Sequence, residues 1–572
     1  NDACPVCAED LTQCAGKAAE PEKEPEAPQA PACTCTEQCT EGAVNDACPV
    51  CAEDLTQCAG KAAEPEGPDN APEQPAEVSV LREENVIEVS DEKGLSAAIR
   101  QANNVASRGQ SVKIVLTGDI SLTNTETAAK EYFKLQSGAD VHLTSAEGQA
   151  YTLKFGNEFL STKKSVIMFD LDDSSLTLSN IVLDCNSVAS VAPKTSFEST
   201  AIKAEYGSQV TINEGGKITN SCCHGPQSTA VVRVAYGSEL IMNGGEISGN
   251  DGTSRTNSSS AVILIFNSDF LMNGGEIKED AVRGNYMASN SGRAGIIAVC
   301  SNMASNPEDS RFPSNFVMKG GSITGNSNLG GYGGAISAGI AGVGGFTTIT
   351  INGGTISGNQ AGSGGGISVG GSTYEGKCQL EINGGEISDN EAVVEGEKSG
   401  DGGGAISARH HAQVIMKEGV IKNNFSDLSG GAIQLFNECT MEMYGGVIAK
   451  NTAESHGGAI CVAADFSAGE NGNPDDSVLY MYGGTIQDNI AKSTWLVEDH
   501  DDAPYAPGGG GIFLHGNCQL YLYGPTDQYS GAKITGNETG KESCGGGVYG
   551  CFGSTILMNG GWIENNTAAH SG

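Results

Sequence analysis

The chain repeats itself. ELIMNGGEISGN at residues 239–250 returns as DFLMNGGEIKED, NFVMKGGSITGN, TTITINGGTISGN and QLEINGGEISDN. The commonest interval is about thirty residues, a period at which no unit buries a core alone and neighbouring units must stack.

Alignment on the first glycine of each GG pair reveals the unit. The pair begins at Gly244, Gly274, Gly320, Gly353, Gly384, Gly445, Gly483 and Gly560, with degenerate copies at Glu418 and Gly524. Two positions earlier stand Met242, Met272, Met318, Ile351, Ile382, Met416, Met443, Met481, Leu522 and Met558. Four positions earlier stand Leu240, Phe270, Phe316, Ile349, Leu380, Val414, Met441, Leu479, Leu520 and Ile556. Mostly polar residues separate them, and that period of two predicts a half-buried strand. The glycines permit a turn with positive φ or a close backbone approach. An Ile then opens a second strand, and three residues later comes Asn250, Asn326, Asn359, Asn390, Asn424, Asn451, Asn489, Asn537 or Asn566. GGAI and its variants supply a third strand.

Three short strands and three turns per unit predict one coil of a parallel β-helix, so the fold class is an all-β solenoid. Equivalent residues would stack at about 4.8 Å, and about fourteen coils would extend roughly 65–70 Å. The asparagine column is expected to form an amide ladder that satisfies the buried turn. Cys378, Cys439 and Cys518 share a column with Ser238, Thr347 and Ala412. They lie two coils apart, about 9–10 Å at that rise, beyond disulfide reach. Free thiols used as small packing residues are expected.

Composition changes near residue 80. Residues 1–80 hold nine of the 19 cysteines and ten of the 18 prolines, and read as a Cys/Pro-rich tandem-repeat stalk. One complete module carries Cys33, Cys35, Cys39, Cys48, Cys51 and Cys58. So little apolar content needs a staple. Three disulfides are the expected one, with a metal site around the single CxxC as the alternative. Residues 81–125 are expected to cap the β-helix. ENVIEV forms a strand there, and an amphipathic helix follows with Leu95, Ala98, Ile99 and Ala102 on one face and Asp91 or Ser90 as its cap. Residues 126–572 would be the β-helix proper. It reads as truncated at the C-terminus, because NTAAHSG stops where NTAESHGGAI continues.

The formal net charge is −38. Such a chain repels phosphate backbones and anionic lipid, so nucleic acid is not an expected partner. No apolar run long enough to span a bilayer occurs.

GGAI at 333–336, 403–406, 430–433 and 457–460, with a recurring Ile-x-x-Asn, resembles the polymorphic outer membrane proteins and related pectate-lyase-like adhesins. The resemblance covers about 85–572, with Ile replacing that family's Phe before x-x-Asn. It implies a right-handed, single-stranded parallel β-helix on a cell surface, used for adhesion and display, with no shared catalytic set to transfer. The Cys/Pro modules instead resemble stalk repeats of surface proteins from gut anaerobes.

Candidate sites lie where a coil breaks its pattern. Enzymes of this fold use Asp/Glu with Arg, Lys or His. Asp170, Asp172 and Asp173, the run Arg409–His410–His411, and the run Glu498–Asp502 contain those residue types, but each reads better as strand, turn or solvated insertion. Asp499, Asp501 and Asp502 could hold calcium loosely; no other cofactor is expected. The outward positions hold Tyr444, Tyr480, Tyr482, Tyr521 and Tyr523 in three consecutive coils, and a nearby insertion brings Trp495. An aromatic platform suits a sugar face or a protein partner. The expected function is a secreted or cell-surface structural and adhesive protein, probed by glycans, proteins or copies of itself. A carbohydrate-binding or polysaccharide-degrading protein is the alternative.

Overall fold

The computed structural model describes residues 85–123, 131–162, 165–187, 198–223, 229–252, 260–282, 295–301, 313–340, 346–371, 377–393, 402–463, 476–492, 508–540 and 543–570. The chain divides after Leu81, and every described residue belongs to the second unit, Arg82–Gly572. The six module cysteines from Cys33 to Cys58 lie outside the described residues, as do Trp495, Asp499, Asp501 and Asp502.

The described strands form parallel sheets of 15, 14, 8 and 13 strands, a parallel β-helix. One coil shows the path. Gln413–Met416 lies in the first sheet, Val420–Lys422 in the second, Phe425–Ser426 in the third and Ile433–Phe436 in the fourth. The next coil sets Met441 beside Val414, Met443 beside Met416, Ile448 beside Ile421 and Ile460 beside Ile433. Like stacks on like, so a single pattern buries every rung. From Val112 to Leu522 the alternating residues of the first sheet are buried as their period predicts, with Leu240, Met242, Phe316 and Met318 all fully enclosed, whereas Ile556 and Met558 of its last strand are exposed.

The third sheet adds a fourth strand to the eight coils from Ala281 onward, whereas the earlier described coils keep the expected three. Most of its strands are two residues long, such as Thr452–Ala453, too short to show any period. The fourth sheet departs from alternation. Gly295–Ser301 is buried at all seven residues, and Ala230, Ala261, Leu264, Ala298 and Cys300 form a second apolar cluster. A parallel strand covered on both faces needs a continuous apolar run, which AVILIF at 261–266 supplies.

The parallel strand stack extends into residues 81–125. Asn85–Val89 already pairs in parallel with Ser111–Leu116. Helix α1, Glu92–Val105, is inserted between these two strands. Asp91 caps it, its Oδ1 accepting from Gly94 N at 2.7 Å, and Leu95, Ala98, Ile99 and Ala102 are buried. The helix therefore lays its apolar face on the first rung, where exposed strand edges would otherwise stand open.

The glycine pair and the preceding methionine are physically linked. The second glycine is left-handed, with φ +86° at Gly354 and +82° at Gly446. A Cβ there would stand 2.6 Å from Met318 Cε and Met416 Cε respectively, each from the previous coil. The methionine thus fills the space a side chain would have taken.

Cys185, Cys223, Cys378, Cys439, Cys461, Cys518 and Cys551 are free thiols, and all but Cys551 are buried. Cys378 stands in register with Thr347, as the shared small-residue column predicts. Burial pushes the thiols of Cys185, Cys378, Cys439 and Cys461 up to about 12. Thiolate is the reactive species. Labelling the native protein at pH 8, with the modified residues located by mass, should therefore leave these four unmodified until the chain is unfolded.

Candidate functional site

The internal ladder follows the backbone turn after the second sheet. From Asn326 onward each Nδ2 donates to Oδ1 of the next asparagine, at 2.9 Å from Asn326 to Asn359 and 3.0 Å from Asn390 to Asn424. The chain continues through Asn451, Asn489 and Asn537 to Asn566. Each Oδ1 also accepts the backbone N–H of the preceding rung, as from Asn390 to Asn424 at 3.0 Å. Asn250 joins through Asp280, a rung that asparagine counting passes over although Ile277-x-x-Asp280 has the same spacing. This column is buried and builds the wall.

The outer face of the first sheet is where coils differ. Just before the glycine pair, Asn213, Asn243 and Asn273 form a second, exposed amide ladder, with bonds of 3.0 and 2.8 Å. Asn383 donates likewise to Asn352 at 2.9 Å. Lys417 then pairs with Glu381 at 2.6 Å, and the next three coils change to tyrosine.

The tyrosines form two stacked columns. Tyr444, Tyr482 and Tyr523 stack with centroids 5.0 and 4.7 Å apart and planes within 15°. Tyr480 and Tyr521 stack beside them at 5.0 Å, and Tyr480 lies 6.2 Å from Tyr482. All five are half-buried. Tyr529, from the turn after the third of these strands, tilts against Tyr444 at 5.1 Å and Tyr482 at 6.2 Å; it lies outside the repeat columns and is visible only in three dimensions. The coil rise imposes this geometry, since rings on adjacent rungs meet face to face near ring-stacking distance. Neighbouring rings thus cover one another's faces, and the Tyr521 hydroxyl donates to Gln519 Oε1 at 2.7 Å. Burial first, and neighbouring phenols and Glu442 after it, raise the Tyr444 and Tyr482 hydroxyls above their ordinary range.

The insertion containing Trp495 leaves the third sheet after Ile490–Ala491 and re-enters at Ile512–His515 of the fourth. The tyrosine columns belong to the first sheet.

The other candidates find local partners. Asp170 lies 3.1 Å from Lys203 and 3.7 Å from Lys134, while Glu205 meets Lys203 at 2.8 Å and Arg233 at 2.9 Å. Lys134, Asp170, Lys203 and Arg233 share one outward column. Burial alone would raise the Glu205 carboxyl, but Lys203 and Arg233 outweigh it and hold it below its ordinary value. Asp172 stands 4.0 Å from Lys134, and Asp173 accepts from Ser137 Oγ at 2.6 Å. Beside this network Tyr206 and Tyr236 stack at 5.2 Å, and Tyr206 is 60% exposed. Both are left-handed at φ +57°, as Asp173 and Asn267 are in the same turn of flanking coils. Arg409 lies over Tyr332 at 4.4 Å, whereas His411 Nδ1 meets Glu438 at 2.5 Å. His410 and His411 are both left-handed turn residues, so the Arg-His-His run divides between two partners.

Fold and columns together define a parallel β-helix solenoid whose first sheet carries a block of stacked tyrosines on its outer face. Residues 24–89 match the model of a family described as mobile element protein CD1107-like, a stretch confined to the Cys/Pro-rich segment and the first strand. No pectate-lyase or adhesin family model matches the β-helix. Neither a curated protein nor a solved structure matches the chain.

Proposed function

We propose that this chain is a secreted or cell-surface bacterial protein in which the β-helix is a rigid display element carried by a Cys-rich stalk, binding a glycan, a protein or a copy of itself. The observation carrying the reading is the tyrosine block. Fourteen strand-to-strand steps of the first sheet keep one inner pattern, while the outer pattern changes from amide and ion pair to aromatic in three consecutive coils. Inner columns answer to packing; outer columns are free to answer to a partner. The family match over residues 24–89 is consistent with a bacterial origin on a mobile element. Because neighbouring rings cover one another's faces, hydrogen bonding combined with apolar contact suits this face better than broad ring stacking. No described helix is long and apolar enough to cross a membrane.

Glycan and protein arrays probed with wild type, Tyr482→Ala and Tyr523→Ala test the assignment. Binding should fall at least tenfold in the variants, about 1.4 kcal/mol. Equal binding by all three removes the tyrosine block from the reading.

The alternative, a carbohydrate-binding or polysaccharide-degrading protein, is favoured by a different place. Tyr206 and Tyr236 stand beside the carboxylates and cations of Asp170, Lys203, Glu205 and Arg233. Incubation with polygalacturonate and other acidic glycans, followed for new reducing ends or unsaturated products, decides it: turnover lost in Arg233→Ala would establish that reading over the first.

A further inference from the structure

The internal ladder has one rung of different chemistry. Asp280 is 1% exposed and occupies an asparagine's place. Its Oδ1 behaves as an asparagine oxygen does, accepting from Asn250 N at 2.8 Å and Asn250 Nδ2 at 3.0 Å. Its backbone N–H donates onward to Asn326 Oδ1 at 3.0 Å. The second oxygen, Oδ2, is buried and has no hydrogen-bond partner among the described residues.

That oxygen takes the place of an amide nitrogen. At the following rung Asn326 Nδ2 donates to Asn359 Oδ1 at 2.9 Å and to the Ile277 carbonyl at 3.2 Å. The equivalent neighbours of Asp280, one coil earlier, are Asn326 Oδ1 and the Ile247 carbonyl, since Ile247 pairs with Ile277. Both are acceptors. A carboxylate oxygen there would face two lone-pair donors without a proton between them, in a site closed to water. A protonated carboxyl supplies the missing donor.

We infer that Asp280 is a buried proton-binding rung: its carboxyl is neutral in the folded protein and donates Oδ2–H along the ladder, making this coil junction sensitive to pH. The charged groups around it oppose ionisation. Burial raises the Asp280 carboxyl well above its ordinary value, and Glu246 and Glu279 raise it further. Glu246 comes from the preceding coil, where Lys217 and Lys278 bind it at 2.8 and 3.3 Å. Lys278 also contacts Glu276 at 2.5 Å. Asp251 adds a carboxylate beside Asn250, and the following coil presents uncharged Ser322, Thr324 and Asn326. The nearby cations are thus already engaged.

The sign follows. The folded value lies above the unfolded one of about 3.9, so the contribution is complete below that pH and is lost as pH rises toward the folded value. Asp280→Asn restores the missing donor and removes the titration. Relative to this variant, the wild-type unfolding constant should rise about tenfold per pH unit above pH 4 until Asp280 ionises. Asn424→Asp, placed in an otherwise amide run, should acquire the same dependence. The wild type at neutral pH should also show an infrared carboxylic-acid C=O band that Asp280→Asn lacks. A stability gap independent of pH with no such band overturns the inference. A gap that responds to added calcium or to a chelator also overturns it, because it would assign Asp280 an ionised, cation-bound state.

Discussion

Gly431→Ala is expected to unfold the β-helix around its coil. A Cβ on Gly431 would lie 2.2 Å from the Gly458 carbonyl oxygen and within 2.6–2.7 Å of Thr452 C and N. All three are backbone atoms of the next coil, so no side-chain rotation relieves the clash. A Cβ on Gly404 would likewise stand 2.2 Å from Gly431 O, and one on Gly458 would stand 2.3 Å from Gly510 O. Relief would require parting coils that hydrogen bonds hold at about 4.8 Å. A cost above about 4 kcal/mol is expected, in the range reached only by a specific structural fault. Two substitutions calibrate it. Gly325→Ala meets no atom within 4 Å but has φ +65°, so strain alone should cost about 1–2 kcal/mol. Gly118→Ala meets neither clash nor left-handed backbone, and should be neutral or slightly stabilising. Urea unfolding followed by circular dichroism, with limited proteolysis to locate the opened coil, should reproduce the order. Equal midpoints for the three variants would refute close coil contact as the reason for the glycine column.

Asn424→Ala has the second largest expected effect. It removes the acceptor for Asn390 N and Nδ2, both at 3.0 Å, and the donor to Ile387 O at 3.1 Å, Lys422 O at 3.0 Å and Asn451 Oδ1 at 2.9 Å. Each buried polar group left unmatched costs about 1–3 kcal/mol. Some carbonyls keep a second donor, so a total of roughly 3–5 kcal/mol is expected rather than the full sum. Asn383→Ala tests the same chemistry in water. Its Nδ2 donates to Asn352 on the exposed face, and the loss should stay within about 0.5 kcal/mol. A similar loss for both variants would show that burial does not set the ladder's value. Hydrogen exchange should show faster exchange at Asn390 N–H in Asn424→Ala.

Much of the architecture is legible because a solenoid writes each spatial contact as a sequence column. Met416 and Met443 are 27 positions apart in the chain yet adjacent in register, and alignment on the glycine pair already places them together. The same logic exposes the asparagine ladder, the unpaired cysteine column and the tyrosine block. It misses Asp280 only because the column was sought as asparagine. It misses Tyr529 because a turn residue belongs to no column. It undercounts the sheets because two residues carry no period.

The sequence by itself determined the coil: which residues face inward, where it turns, which amides stack, and which outer positions break rank. These follow from periodicity and side-chain chemistry within one repeat. The tertiary structure decided what lies between repeats. The coil rise turned an outward tyrosine patch into face-to-face columns. It divided Arg409 and His411 between different partners, and it joined Asp170, Lys203, Glu205 and Arg233 into one charged network. It also showed that an Asp in an amide ladder leaves an oxygen where a donor is required. The physical reason is distance: a repeat specifies its own periodicity, whereas ring stacking, ion pairing and ladder complementarity depend on atoms from adjacent coils meeting within a few ångströms.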